Sequence, residues 1–486
     1  MGIDQVAPPR ARGRWARAHI PELAILAVGV LLRLSMALWY DARIGYDFNA
    51  HWPHIQYIAS QHALPPLTFS ATAYHPPLYH TIAAAVVAPG LDAGALGWLS
   101  ALWGMLRLVL IWVALERWLP ESRVARGVAL ALAAVLPSSA HLDGMITNET
   151  LLMLLSAAVF VVAPSAIAAA RAGRVKLMIG LALLLGLALM AKVSATVLVM
   201  SVAVAMLLEI VRARSAWWPA LRARARPLIA GALVLAVIAG PFFVRNMILY
   251  GQPVPTGYEG AVKGLQAPYE RIPYFDRRPI AFYVGWNLPI YVHPLYPTAL
   301  KPAPRFFPVL LASTFNDYYV YNYSGGGKYR AAQRWVSGAG VTLGCLSVMA
   351  GTLIALGTVI AWVGTARVLW RRRDDGEADP RFALLLAPLG ALIGQLHFAT
   401  KYPNDNFGPI KGAYLQFVAP ILCALFGVGV AWMWRRRARW RWRVPALAAM
   451  GAIALVAAYS VHARFPPFGP DANTAAPFFA ADGERR

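Results

Sequence analysis

The sequence predicts an all-α polytopic membrane protein: a bundle of about eleven transmembrane helices, with interfacial helices in the first outer loop. Three observations predict it. The chain of 486 residues is 59% hydrophobic and only 14% charged, which leaves too few polar side chains to cover the surfaces of water-soluble domains. Apolar runs of about 20 residues, the length that crosses ~30 Å of hydrocarbon as a helix, recur from Pro21 to the C-terminal region. The net charge of +23 is gathered at Arg10 to Arg17, Arg117 to Arg126, Arg171 to Lys176, Arg212 to Arg226, Arg371 to Arg381 and Arg435 to Arg443. These clusters fall at every second gap between apolar runs, as the positive-inside rule requires. Anionic headgroups account for such spacing, so no nucleic-acid partner is expected.

The alternation places the N-terminus in the cytoplasm and the spans at roughly 20–40, 96–116, 123–140, 149–169, 176–191, 194–211, 227–246, 337–369, 381–399, 411–434 and 444–462. The first run is flanked by arginines and has no small-residue cleavage site ahead of a mature domain, so it reads as a retained span rather than a signal peptide. The run at 77–89 is too short to cross, and counting it would put the later arginine clusters outside. It is expected to lie in the outer interface as an amphipathic segment. The resulting division is a cytoplasmic segment 1–19, a transmembrane core 20–246 with its first outer loop at 41–95, a large extracytoplasmic loop 247–335, C-terminal helices 336–463 and an extracytoplasmic tail 464–486. No internal repeat or low-complexity linker interrupts it. Cys345 and Cys423 both lie inside apolar runs, so no disulfide framework is expected.

With that orientation, Asp47, His51, His54, His62, His75, Asp143, Asn148, Glu149, Lys192, Arg245, Lys401, Asp405 and Lys411 all fall at the outer face or at outer ends of spans. Ionisable groups near a bilayer are expensive to hold, so their gathering on one face is a functional-site hypothesis. Asp47, His51 and His54 stand at i, i+4 and i+7, one face if the stretch is helical. Two imidazoles and a carboxylate can hold a divalent ion; the plainer and preferred reading has the histidines hydrogen-bonding an acceptor or a headgroup. The stretch STFNDYYVYNYSGGGKYR at 313–330 lacks the spacing and flanking elements of a phosphate loop. It reads as an outer loop whose aromatics suit sugar or headgroups.

Asp47 with His51 and Tyr57-Ile58, then LPP and YHPPLYH at 74–80, resembles the first outer loop of membrane-embedded sugar transferases that use polyprenyl-phosphate donors. These are the C-type (GT-C) glycosyltransferases, among them the protein O-mannosyltransferases and the aminoarabinose transferases that act on lipid A. MITNETLLMLL (145–155), LALMAKVSATVLV (187–199), GPFFVRNMILYGQPV (240–254) and KGAYLQFVAP (411–420) follow in the order that family shows, so the resemblance covers about residues 20–435. It implies that an acceptor nucleophile attacks the anomeric carbon of a lipid-phosphate sugar and that the lipid phosphate leaves with inversion. Asp47 matches the acidic residue that serves as base, a role worth ~10²–10⁴ in rate; its alternative is an N-cap for a helix starting near Asn49. Many relatives carry an adjacent acidic pair, whereas here Phe48 follows Asp47, and Asp41 is the nearby substitute.

Asn148-Glu149 matches the family's second acidic position, expected to orient the acceptor, or otherwise to serve as a charged start to the helix. Arg245 is the leading candidate for the leaving phosphate, with Lys192, Lys401 and Lys411 behind it; each also reads as a snorkelling anchor. His75 stands where aminoarabinose transferases carry lysine. Some enzymes of this fold bind a divalent metal and others do without, so the resemblance fixes no cofactor and leaves a divalent metal open. The implied partners are a polyprenyl-phosphate sugar, a lipid, glycan or protein acceptor, and membrane lipids. Alanine- and arginine-rich usage points to a bacterial plasma (inner) membrane, with the site on its extracytoplasmic face. Two other classes share the polytopic pattern: a flippase or transporter, which usually shows paired broken helices and repeats, and an O-antigen polymerase or ligase, against which the HPPLY segment argues.

Overall fold

A computed structural model describes residues 9–45, 47–212, 216–255, 271–287, 289–292, 303–315, 330–371, 385–403 and 409–436. Among these residues the regular structure is helical, with no β-strand. Seven helical segments are long and apolar enough to cross a membrane: His19–Trp39, Ala93–Trp118, Asn148–Arg171, Val193–Val211, Trp217–Tyr250, Gly344–Gly364 and Gly412–Arg435. The chain is thus a multi-pass membrane protein. Three more of the expected spans appear as shorter helices, and the one at 444–462, like the tail at 464–486, lies outside the described residues.

The helices run α1 (Pro9–Trp39), α2 (Phe48–Gln61), α3 (Leu78–Val87), α4 (Ala93–Trp118), α5 (Arg123–Val135), α6 (Pro137–Leu142), α7 (Asn148–Arg171) and α8 (Lys176–Ala191). They continue as α9 (Thr196–Arg212), α10 (Trp217–Tyr250), α11 (Ile280–Val284), α12 (Pro289–Val292), α13 (Phe306–Phe315), α14 (Arg330–Arg371), α15 (Leu386–Lys401) and α16 (Ala419–Arg436). The 77–89 run is the ten-residue α3, too short to span. The span expected over 123–140 is two helices. Leu136, before Pro137, is extended (φ −61°, ψ 116°) and Pro137 opens α6, because a proline ring clashes with a helical residue ahead of it but suits the first turn of a new helix.

Helix α7 is the most buried long element, its residues from Asn148 to Met153 all enclosed and Phe160, Ala163, Ala166 and Ile167 fully so. It packs against α4 and α8, α8 against α10, and α1 against α4 and α5. The C-terminal pair α14 and α16 meets at Gly357 and Gly429, each of whose absent Cβ would strike a carbonyl of the other helix, Leu425 and Leu353 respectively. Where lipid tails are as apolar as side chains, such close backbone approach supplies the packing that holds helices together. Outward faces stay apolar: Leu31, Ile229, Leu233 and Val237 are all well exposed, as lipid-facing positions should be.

A charged knot ties α1, α4 and the end of α6 together. The Asp143 carboxylate accepts from Arg33 Nε at 2.9 Å and from Arg107 Nη2 at 2.7 Å, with all three side chains buried. Arg33 also donates to the carbonyls of Gly29 and Ala134. Any Cβ at residue 104 would collide with the Asp143 carboxyl group, so Gly104 is what lets Asp143 enter between the helices. A buried triad of this kind is strongly destabilised by losing one member, since an uncompensated charge remains.

Candidate active site

Asp47 lies just ahead of α2 in the left-handed backbone region (φ 59°, ψ 20°) and makes no capping hydrogen bond. An L-residue held at positive φ is strained, and such strain persists where surrounding structure fixes it, often at functional sites. Of the N-cap reading, the position is right and the interaction is missing. Instead the carboxylate accepts from Lys411 Nζ at 3.4 Å. Solvent reaches about half of the Asp47 side chain (51%) but only 8% of Lys411, so the carboxylate sits in a recess: open on one side, walled by protein on the others. Burial in that recess pushes the Asp47 carboxyl up; the Lys411 ammonium, with smaller contributions from His51 and then Lys192, outweighs this and holds it below the ordinary carboxylate value.

The two lysines reach the recess from breaks between helices. Lys192 is extended (φ −160°, ψ 139°) between α8 and a short 3-10 turn, Val193–Ala195. Lys411 is extended (φ −121°, ψ 129°) ahead of the 3-10 segment Gly412–Val418, with Gly412 N donating to Ser313 Oγ at 2.8 Å. Lys192 Nζ donates to Glu149 Oε1 at the start of α7. Thr147 caps that helix through the Glu149 amide, so the glutamate side chain is released from capping. Opposite helix ends meet here: a carboxylate at the N-terminus of α7 and an ammonium after the C-terminus of α8, each favoured by its helix dipole. Tyr414 joins the two pairs, its ring centroid 4.9 Å from Lys192 Nζ and 5.5 Å from Lys411 Nζ, within the range of cation–π attraction. Asp47, Lys411, Tyr414, Lys192 and Glu149 therefore form one continuous array.

Beside it is a cleft lined by His54, Leu64, Pro65, Leu67, Ala73, Tyr74, His75, Phe242, Arg245 and Asn246. Arg245, near the end of α10, donates to Asn246 Oδ1 at 3.3 Å. His75 presents a buried Nδ1 with no hydrogen-bond partner. The cleft thus combines a guanidinium, an imidazole and an amide with an apolar wall. Tyr74 belongs to both regions: burial raises its phenol pKa, and Tyr414, Asp47 and Tyr402 add to the rise.

The histidines form a stack. His54 and His80 rings lie 3.8 Å apart, His51 Nδ1 is 3.0 Å from His80 Nε2, and His75 stacks near His51 at 6.1 Å. Burial takes the His51 pKa down to about 3 and the His54 pKa down to about 4, and holds those of His75 and His80 well below the ordinary value. All four rings are therefore neutral at pH 7. His51 and His54 do share the buried face of α2, as their spacing predicts. Their nitrogens turn to His80 and Thr72, and among the described residues no three His, Cys, Asp or Glu side chains are grouped to hold a metal ion.

The remaining candidates separate. Asn148 Nδ2 donates to the Ala191 carbonyl at 3.3 Å, tying α7 to α8 rather than facing the recess. Lys401 ends α15 with its Nζ 5.2 Å from the centre of the Tyr402 ring. Asp41 is occupied by Arg43, whose Nε donates to it at 2.8 Å. Asp405 and most of the 313–330 stretch lie outside the described residues. Tyr414, Tyr74, His80 and Asn246 were not singled out by sequence reasoning, although all four fall inside the quoted motifs. For Arg33 and Arg107 the signal was plain: each is an arginine inside an apolar run.

No protein-family profile matches the sequence, and no curated protein sequence matches it. Solved structures do. The oligosaccharyltransferase of Archaeoglobus fulgidus, tethered to an acceptor peptide containing the NVT sequon, aligns at a TM-score of 0.51 and 11% identity over 94% of this chain and 57% of that one. Its apo form aligns at 0.44 and 14% identity over 94% and 57%. ArnT from Cupriavidus metallidurans, bound to undecaprenyl phosphate, aligns at 0.37 and 15% identity over 92% and 86%. The chain thus spans 57% of the length of the archaeal enzyme whose fold it shares. The expected GT-C-like bundle is the fold observed.

Proposed function

We propose that this protein is an integral-membrane glycosyltransferase that moves a sugar from a polyprenyl-phosphate donor to an extracytoplasmic acceptor with inversion. The observation that carries this reading is the state of Asp47. It is an exposed carboxylate held in a strained backbone conformation, free of any capping role and kept ionised by a lysine. Beside it lies a cationic cleft with an apolar wall. The likeness of fold to an oligosaccharyltransferase supports the same general chemistry, and the motifs quoted above supply the lipid-phosphate donor.

In the reaction, the acceptor heteroatom attacks the anomeric carbon from the face opposite the phosphate, the bond from that carbon to the phosphate oxygen breaks, and Asp47 takes the acceptor proton. Arg245 meets the charge that grows on the departing phosphate, with Lys411 and Lys192 as further cations in reach of the recess and His75 as a neutral hydrogen-bonding partner. Oriented cations where charge develops give the largest stabilisation open to such a site. Leu64, Leu67 and Phe242 provide apolar surface for the first prenyl units.

The test is transfer by Asp47→Asn. The variant keeps size and much of the hydrogen bonding while removing basicity, so transfer falls ~10²-fold or more, with donor binding retained. Asparagine caps helices as well as aspartate. Near wild-type transfer by purified, monodisperse Asp47→Asn therefore sinks the base assignment, and a loss in Glu149→Gln measured alongside would name the replacement.

A further inference from the structure

The Asp47–Lys411 contact competes with the phosphate-binding role given to Lys411 above. In the structure the ammonium donates to the carboxylate at 3.4 Å and is all but enclosed, 8% exposed. A carboxylate in that pair is a weak base, because any proton it takes up must displace the lysine's charge. Tyr74 gives Lys411 a second place to go. Its side chain lines the cleft that holds Arg245 and His75, and it also feels the charges of Asp47 and Lys411. Geometry links the two regions as well: His75, which lines the cleft, has its ring 6.1 Å from that of His51, whose amide donates to the Asp47 carbonyl at 2.9 Å. The Tyr414 ring, 5.5 Å from Lys411 and 4.9 Å from Lys192, lies within cation–π range of both ammonium groups.

We propose that Lys411 exchanges partners: it pairs with Asp47 until the phosphate of the lipid-linked donor enters the cleft and then passes to that phosphate, so Asp47 becomes a competent base only after donor binding. The proposal rests on the glycosyltransferase reading and adds an order to it, donor before acceptor. Lys192 does not make the same exchange, because its ammonium is matched by Glu149 at a helix N-terminus that favours the carboxylate. The advantage is chemical. A base unmasked without a donor in place would serve water or a stray nucleophile as readily as the acceptor.

Exchange makes a prediction that runs against simple loss of a contact. If binding phosphate costs Lys411 its bond to Asp47, removing the carboxylate removes that competition. Affinity for a polyprenyl monophosphate without sugar, measured by titration calorimetry on protein in nanodiscs, should tighten about tenfold in Asp47→Asn and weaken about tenfold in Lys411→Met, the scale of one charge-assisted hydrogen bond. Ordinary repulsion between carboxylate and phosphate would also tighten binding in Asp47→Asn, so the double variant decides. In the Lys411→Met background, Asp47→Asn should change affinity by less than about twofold if the exchange dominates the coupling, because the shared lysine is gone. Equal tightening in both backgrounds, or none in either, overturns the exchange.

Should Lys411→Met not fold, infrared difference spectra of the wild-type protein take its place. Polyprenyl monophosphate should shift a carboxylate band that is absent from Asp47→Asn, and an unmoved band overturns the proposal. The two readings fail separately: lost transfer in Asp47→Asn with unchanged phosphate affinity keeps the base and removes the exchange.

Discussion

Asp47, Lys192 and Lys411 owe their places to interruptions of helix, and this is why the site can exist inside a membrane protein at all. Irregular backbone near a bilayer is tolerated where it lines a polar cavity; here the left-handed turn before α2 and the extended residues after α8 and before Gly412 open side chains towards one another. Arg245 differs, since it projects from within α10, and its role is separable by measurement. Arg245→Ala should raise the KM for the lipid-linked donor and lower transfer by ~10²–10³, with thermal stability little changed. An anchoring role predicts lost stability and an unchanged KM. Asp47, Lys192, Lys411 and Arg245 were legible because charge beside a long apolar run is rare enough to stand out. Tyr414 was not, because an aromatic ring at a membrane boundary is the ordinary case and only the two ammonium groups against it give it meaning.

At the scale of elements, α2 and α3 are clamped together by rings rather than by charge. The α2 histidines His51 and His54 meet His80 of α3 in the buried stack. A folded-state pKa of about 3 for His51 and about 4 for His54 lies below the ~6.5 of an unfolded histidine. Between those values the unfolded chain binds more protons than the folded one, so stability rises with pH there. The contribution is full above pH ~6.5 and is lost as pH falls towards the folded values. The melting temperature of the purified protein should therefore drop steadily from pH 7 to pH 5, more steeply than in His51→Asn; a flat profile would contradict the buried, neutral stack. The spacing of His51 and His54 puts them on one face only if the stretch is helical, and α2 meets that condition. The spacing did not show the partner, because nothing local pairs His51 with a residue 29 positions away. The break at Pro137 was present in the sequence as a proline, but its apolar neighbours let 123–140 read as one span.

For the whole molecule, the bundle was legible from two long-range regularities, apolar length and the alternation of arginine clusters, both of which a bilayer imposes on any chain that crosses it. Ten of the eleven expected spans have a helix in the described residues. The meeting of Lys411 with Asp47 across 364 positions was not legible, because it depends on how the ends of several helices converge. The polytopic pattern alone also fits a carrier of lipid-linked sugars, and bond cleavage is what separates the two. The most direct measurement gives purified protein in proteoliposomes a set of radiolabelled polyprenyl-phosphate sugars, with envelope material from cells lacking the gene as acceptor. Glycosyl transfer predicts that label moves from lipid to an acceptor of correspondingly increased mass, with one polyprenyl phosphate released for each sugar transferred. Label that crosses the bilayer still attached to its lipid, with no polyprenyl phosphate released, would contradict it.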